Sequence, residues 1–147
     1  MIILKSDAEI QKMRRAGAIV ARAHQLVAAA IEPGVTTQEL DRIVADFFKA
    51  EGVKSSFLGY QGYPAHICTS VNEQVVHGIP DDRRLQEGDI VSVDIGAIVD
   101  GYHGDSAWTY PVGSVSPEAE RLLRVTEEAL YKGIEKAVDG GRLSDIS

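Results

Sequence analysis

Apolar residues return at alternating steps of three and four from Ile10 through Met13, Gly17, Val20, His24 and Val27 to Ile31, the stripe of an amphipathic helix. Ser6-Asp7-Ala8-Glu9 ahead of the stripe is a capping-box pattern, and Pro33-Gly34 stops the helix behind it. Thr36-Thr37-Gln38-Glu39 repeats the opening signal, with Val35 and Leu40 spaced as a hydrophobic staple. Leu40, Ile43, Val44, Phe47 and Phe48 give this second helix a buried face, and Gly52 closes it. A third helix opens at Ser116-Pro117-Glu118, with Pro in the first turn. It carries Leu122, Leu123, Val125, Ala129, Leu130, Ile134 and Ala137 up to Asp139-Gly140-Gly141, and Leu143–Ser147 reads as another helix start.

Between the second and third helices the period changes. His66–Val71 predicts a strand, Asn72-Glu73 a turn, and Gln74–His77 a returning strand ended by Gly78-Ile79-Pro80-Asp81-Asp82. Ile90–Ile98 is rich in β-branched residues, Asp100-Gly101 is a two-residue hairpin signal, and Tyr102–Thr109 continues extended. A turn at Asp100-Gly101 sets Asp94 opposite Ala107, with Asp105 two residues along on the same face. Asp94 and Asp105 are then diagonal neighbours with backbones about 7–8 Å apart. The stretch Lys54–Pro64, with FLGYQGYP at its end, has no clear period and reads equally as a surface Ω-loop or as the lining of an apolar pocket.

Aspartate is uncommon inside strands, so a single one usually marks an exposed face. Two on one face, with Val91, Val93 and Ile95 on the other, repel unless a cation or a proton lies between them. Their spacing suits one metal ion, or two ions about 3.5–4 Å apart. His103 shares the parity of Asp105, though a histidine at a turn edge is more often solvated. His24 lies on the helix stripe and reads as a hydrogen-bonded histidine at the edge of the core. His77, at a strand end beside glycine, reads either as a capping residue or as a side chain projecting into a cleft.

Composition narrows the function classes. In 147 residues, 15 basic side chains stand against 22 acidic ones, a net charge of −7 with no basic run. Nucleic acid and anionic membrane are therefore poor partners. Cys68 is the only cysteine and suits a reducing compartment. The apolar run Met1–Leu4 is too short for a signal peptide, and no stretch approaches the length of a membrane span. A cytoplasmic location is the expectation.

The order helix, glycine break, helix start occurs twice. Pro33–Leu40 aligns with Asp139–Ile146, pairing Gly34 with Gly140, Glu39 with Asp145 and Leu40 with Ile146. This suggests a pseudo-repeated fold, its first copy covering about residues 1–112 and a second, cut short, beginning at about 113–147. LGYQGYPAHICTSVNEQVVHGIPDD (Leu58–Asp82) and GDIVSVDIGAIVDGYHGDSAWTY (Gly88–Tyr110) make the chain resemble, over essentially its whole length, the N-terminal part of bacterial type I methionine aminopeptidases of peptidase family M24.

The resemblance implies an α+β pita-bread fold. The first half, with an antiparallel sheet and flanking helices, is present, and the second half is truncated. It also implies two divalent metal ions (Co, Mn, Fe or Zn) and metal-assisted removal of the initiator methionine from peptides whose second residue is small, including nascent chains at the ribosome. By the same resemblance Asp94 binds one metal through both oxygens and Asp105 bridges the two. His77 hydrogen-bonds the scissile peptide, and Tyr60, Tyr63 and Cys68 line the methionine pocket. Asn72 lies in a loop that helps hold a monovalent cation in the family. A His and two Glu ligands contributed by the family's second half have no counterpart in the sequence. The expectation is thus an incomplete form, inactive as it stands. The alternatives are a proline dipeptidase or aminopeptidase P of the same fold, and a non-catalytic peptide-binding module.

Overall fold

The computed structural model describes residues 2–147 and divides into two compact units, one ending at Ser114 and one spanning Val115–Ser147. In the first, helix α1 (Asp7–Ala30) opens with the expected capping box, the Ser6 hydroxyl accepting from the Glu9 amide and the Glu9 carboxylate from the Ser6 amide. Its buried residues are Ala16, Val20, Ala23 and Val27, whereas Ile10 and Met13 are each 41% exposed. The buried face is therefore rotated from the one the apolar stripe predicts. The cause is a close approach: a Cβ at Gly104 would lie 2.5 Å from the Ala16 carbonyl carbon and 2.6 Å from the Gly17 nitrogen. Only small side chains fit where the helix backbone meets a strand this closely.

Helix α2 (Thr37–Glu51) starts with a second capping box at Thr36 and Glu39 and stops at Gly52, whose φ of 67° suits a residue without Cβ. Leu40, Val44 and Phe48 are its buried apolar face, with Phe47 packed at the edge. Its first free amides are taken up by a later segment. Thr37 N–H donates to the Arg83 carbonyl (3.1 Å) and Gln38 N–H to that of Asp81 (2.8 Å).

The sheet is antiparallel and built around one long strand. Strand β1 (Lys54–Ser55), strand β2 (Ile67–Val71), strand β3 (Ile90–Val99) and strand β4 (Tyr102–Pro111) follow in chain order. β4 pairs with β3 along its full length, while β2 and β1 pair with β3 at Val91–Ile95 and at Ala97–Ile98. Val91, Val93, Ile95 and Ala97 of β3 are fully buried and form one core with Val20, Val27, Leu40, Val44, Phe48, Ile67, Leu85 and Val112. Each larger side chain in that core is worth about 1.5–3 kcal/mol of burial.

Two sequence expectations fail here. Gln74–His77 is not a strand. Asn72 and His77 take left-handed conformations (φ 54° and 60°), and the Gln74 side chain accepts from the Val71 amide, a donor that a returning strand would need. The strand β1 was not anticipated, because two residues carry no period.

In the second unit, helix α3 (Pro117–Lys136) begins at Ser116, whose hydroxyl accepts from the Ala119 amide at 3.2 Å. Gly133 is its one buried residue, and Leu122, Val125, Leu130, Tyr131 and Ile134 are 47–57% exposed. After it, Leu143–Asp145 forms a single 3₁₀ turn rather than a helix. Among the described residues no helix is long and apolar enough to cross a membrane.

Candidate metal centre and its cavity

The hairpin turn holds Asp100 at φ 50° and Gly101 at φ 83°, the pair of positive values that a two-residue turn needs to match strand twist. The register follows: Asp94 faces Ala107 and Asp105 faces Gly96, as the sequence predicts. Both carboxylates therefore leave the sheet on the face away from the core.

Two further segments roof this face. On β2, Cys68 stands opposite Asp94. After β1, Ser56 N–H donates to the Gly96 carbonyl (2.9 Å), and a Cβ on Gly96 would meet the Phe57 ring at 2.7 Å. Glycine at this point lets the aromatic loop lie directly on β3. A 3₁₀ turn at Tyr60–Gly62 follows, and the Phe57 and Tyr63 rings meet edge to face at 6.5 Å.

The result is a cavity of about 590 Å³ lined by Phe57 and residues 60–64 of this loop together with Cys68, His77, Ile79, Asp94 and Asp105. Asp94, Asp105, His77, Tyr60, Tyr63 and Cys68 thus border one space. FLGYQGYP is pocket lining rather than a detached loop. Phe57 and Pro64 belong to the aromatic, glycine-containing stretch that the sequence offers as pocket lining, whereas Ile79 carries no local signal of its place there. His103 is elsewhere, its Nδ1 2.9 Å from the Ser56 hydroxyl. His24 sits between Tyr110 (2.9 Å from Nδ1) and the Ser106 carbonyl (3.0 Å from Nε2), the core-edge position its stripe suggested. Asn72 donates to Asp89 and accepts from the Ile90 amide.

The electrostatics single out Asp94. Burial, and next the adjacent charge of Asp105, push its carboxyl up to about 6. Its Oδ1 is buried and has no hydrogen-bond partner. An unpaired carboxylate oxygen beside a second carboxylate is an arrangement that a cation completes. The fit is partial, since among the described residues no group of three or more His, Cys, Asp and Glu side chains gathers to hold a metal ion. Burial raises the Cys68 thiol above its ordinary value, so it stays protonated as a piece of soft wall. Burial raises the Tyr63 hydroxyl too, and its one proton is shared between the carbonyls of Ile67 and Gly78, each 3.0 Å away.

A carboxylate pair projecting from an antiparallel hairpin into a partly apolar cavity is an arrangement suited to holding a divalent cation beside a bound substrate. The family is then plain: residues 11–147 match metallopeptidase family M24, and the chain belongs to it. A divalent metal cofactor goes with that membership. The chain is 55% identical over 147 residues to methionine aminopeptidase 1 of Bacillus subtilis, covering 100% of this chain and 59% of that protein. The crystal structure of methionine aminopeptidase from Thermotoga maritima superposes with a TM-score of 0.90 at 46% identity, over 94% of this chain and 55% of that one. An Xaa-Pro dipeptidase from Bacillus anthracis reaches 0.78 at 26% identity, over 92% of this chain and 36% of that one. The fold is the α+β pita-bread fold, and the chain spans about three fifths of the curated relatives it matches.

Proposed function

We propose that the protein is a methionine aminopeptidase, in which Asp94 and Asp105 hold two divalent ions and the cavity beside them takes the side chain of an N-terminal methionine. The observation that carries this reading is the buried, unpartnered Asp94 oxygen at the edge of an aromatic cavity in a chain 55% identical to such an enzyme. Tyr60, Tyr63, Phe57, Cys68 and Ile79 offer apolar, polarisable surface with no fixed charge, which suits an unbranched thioether. Asp94 and Asp105 on the same lining supply the negative charge that a free α-amino group calls for, directly or through the ions they hold. His77 borders the same space as a hydrogen-bond donor to the scissile peptide.

The chemistry the ions supply when bound is Lewis acidity toward water and the peptide carbonyl. Carboxylate ligands favour Mn, Fe or Co, with Zn also accommodated. Two protein ligands alone bind such ions weakly. The segment from about residue 113 onward is read as the opening of a second pseudo-repeat. Peptides whose second residue is small, nascent chains at the ribosome and a cytoplasmic setting belong to the same proposal.

The test is calorimetric titration of Mn into the 147-residue chain and its Asp94→Asn and Asp105→Ala variants, with methionine release from Met-Ala-Ser followed alongside. Weak saturable binding lost in both variants, and any release confined to the unsubstituted chain, is the expected result. Binding unchanged in either variant overturns the site. Cleavage of an Xaa-Pro dipeptide in preference to Met-Ala-Ser moves the reading to the dipeptidases.

A further inference from the structure

His77 is a non-glycine residue held at φ 60°, a left-handed conformation that persists only where surroundings enforce it. The enforcement is visible one residue on. The Gly78 amide donates to the Ser70 hydroxyl at 3.2 Å. The Gly78 carbonyl accepts from the Thr69 amide (2.9 Å) and from the Tyr63 hydroxyl (3.0 Å). Both peptide groups flanking Gly78 are thereby tied to β2 and to the aromatic loop. A Cβ on Gly78 would lie 2.1 Å from the Thr69 carbonyl oxygen, so this fit admits glycine alone. Further along, Asp81 is fastened to the start of α2, its carbonyl accepting from Gln38 N–H and its amide donating to the Thr37 hydroxyl (2.9 Å). Among the described residues neither the backbone nor the side chain of His77 has a hydrogen-bond partner of its own.

We propose that Ser70 and Tyr63 are positioning residues: their hydroxyls clamp the two ends of Gly78 and so hold His77 in its left-handed conformation beside Asp94. The catalytic consequence rests on the aminopeptidase reading; the conformational one does not. Ser70 is 4% exposed, so its hydroxyl faces no competing water. Without it, the His77–Gly78 peptide is free to rotate, and His77 relaxes toward an ordinary negative φ that takes its ring out of register with the carboxylates.

The deciding experiment is NMR on the isotopically labelled 147-residue chain and its Ser70→Ala, Ser70→Thr and Tyr63→Phe variants. The φ-sensitive couplings and relaxation dispersion of His77 and Gly78 are read alongside thermal melts. A single left-handed His77 conformer is expected in the unsubstituted chain and in Ser70→Thr, and two exchanging conformers in Ser70→Ala. Tyr63→Phe gives a smaller effect, because Thr69 still holds the Gly78 carbonyl. Identical His77 couplings in a folded Ser70→Ala overturn the proposal. If that variant does not fold, unchanged His77 couplings in Tyr63→Phe do so. Where the unsubstituted chain releases methionine, Ser70→Ala lowers kcat about 10- to 100-fold with KM little changed, and Ser70→Thr recovers it. Mn binding that Asp94→Asn leaves unchanged, in a chain that shows the conformer shift, sinks the aminopeptidase reading alone. An active chain with an unmoved His77 sinks the positioning role alone.

Discussion

Among the described residues two buried side-chain oxygens lack a hydrogen-bond partner, Thr69 Oγ1 and Asp94 Oδ1, and they mean opposite things. Asp94 faces the cavity next to another carboxylate, where the unmet valence is an invitation to a cation. Thr69 lies opposite Val93 on the core side of the sheet at 2% exposure, where nothing arrives to meet it. Replacing it by Val removes the stranded hydroxyl while keeping the branched shape, and a gain of about 1 kcal/mol is expected. That corresponds to a melting temperature raised by roughly 2–4 °C in a chain of this size. A melt that falls would mean the hydroxyl has a partner after all. The two aspartates were legible in the sequence because alternation and a turn signal fix faces without any knowledge of the rest of the fold. The orphaned Thr69 and the left-handed His77 were not, since both depend on which segment lies beside β2.

At the level of elements, the hairpin register was readable and the phase of α1 was not. Apolar spacing cannot foresee that Gly104 lets the helix backbone settle onto β4, which turns Ala16 and Ala23 inward in place of Ile10 and Met13. The same contact buries His24, and that burial depresses its pKa below the ordinary 6.5. The folded chain binds this proton less readily than the unfolded chain, so the His24 contribution to stability is full above about pH 6.5 and is lost as pH falls through the folded value. Melting temperatures of the unsubstituted chain and of His24→Gln at pH 7.5 and pH 5 check this. The drop between the two pH values is expected to be smaller in the variant by a few degrees, and an equal drop rules His24 out as a source of acid sensitivity.

On the scale of the molecule, the two units differ in what they bury. The first closes a core around β3; the second is a helix of 20 residues whose one buried residue is a glycine. Most helical stability in a folded protein comes from a packed face, and α3 buries little of its own. Amide exchange in α3 is therefore expected to outrun that of β3 by more than about 100-fold, whereas equal protection would reveal a packing partner for Leu122, Val125 and Ile134. The family was legible because its two long motifs lie within the first unit, where most of the ordered core also lies. One consequence reaches into the gene. Two residues at the tip of the hairpin act as a ruler between Asp94 and Asp105. Losing or gaining a single codon between those aspartates sends one of them through to the other side of the sheet, while the same change just past Pro111 leaves their spacing untouched.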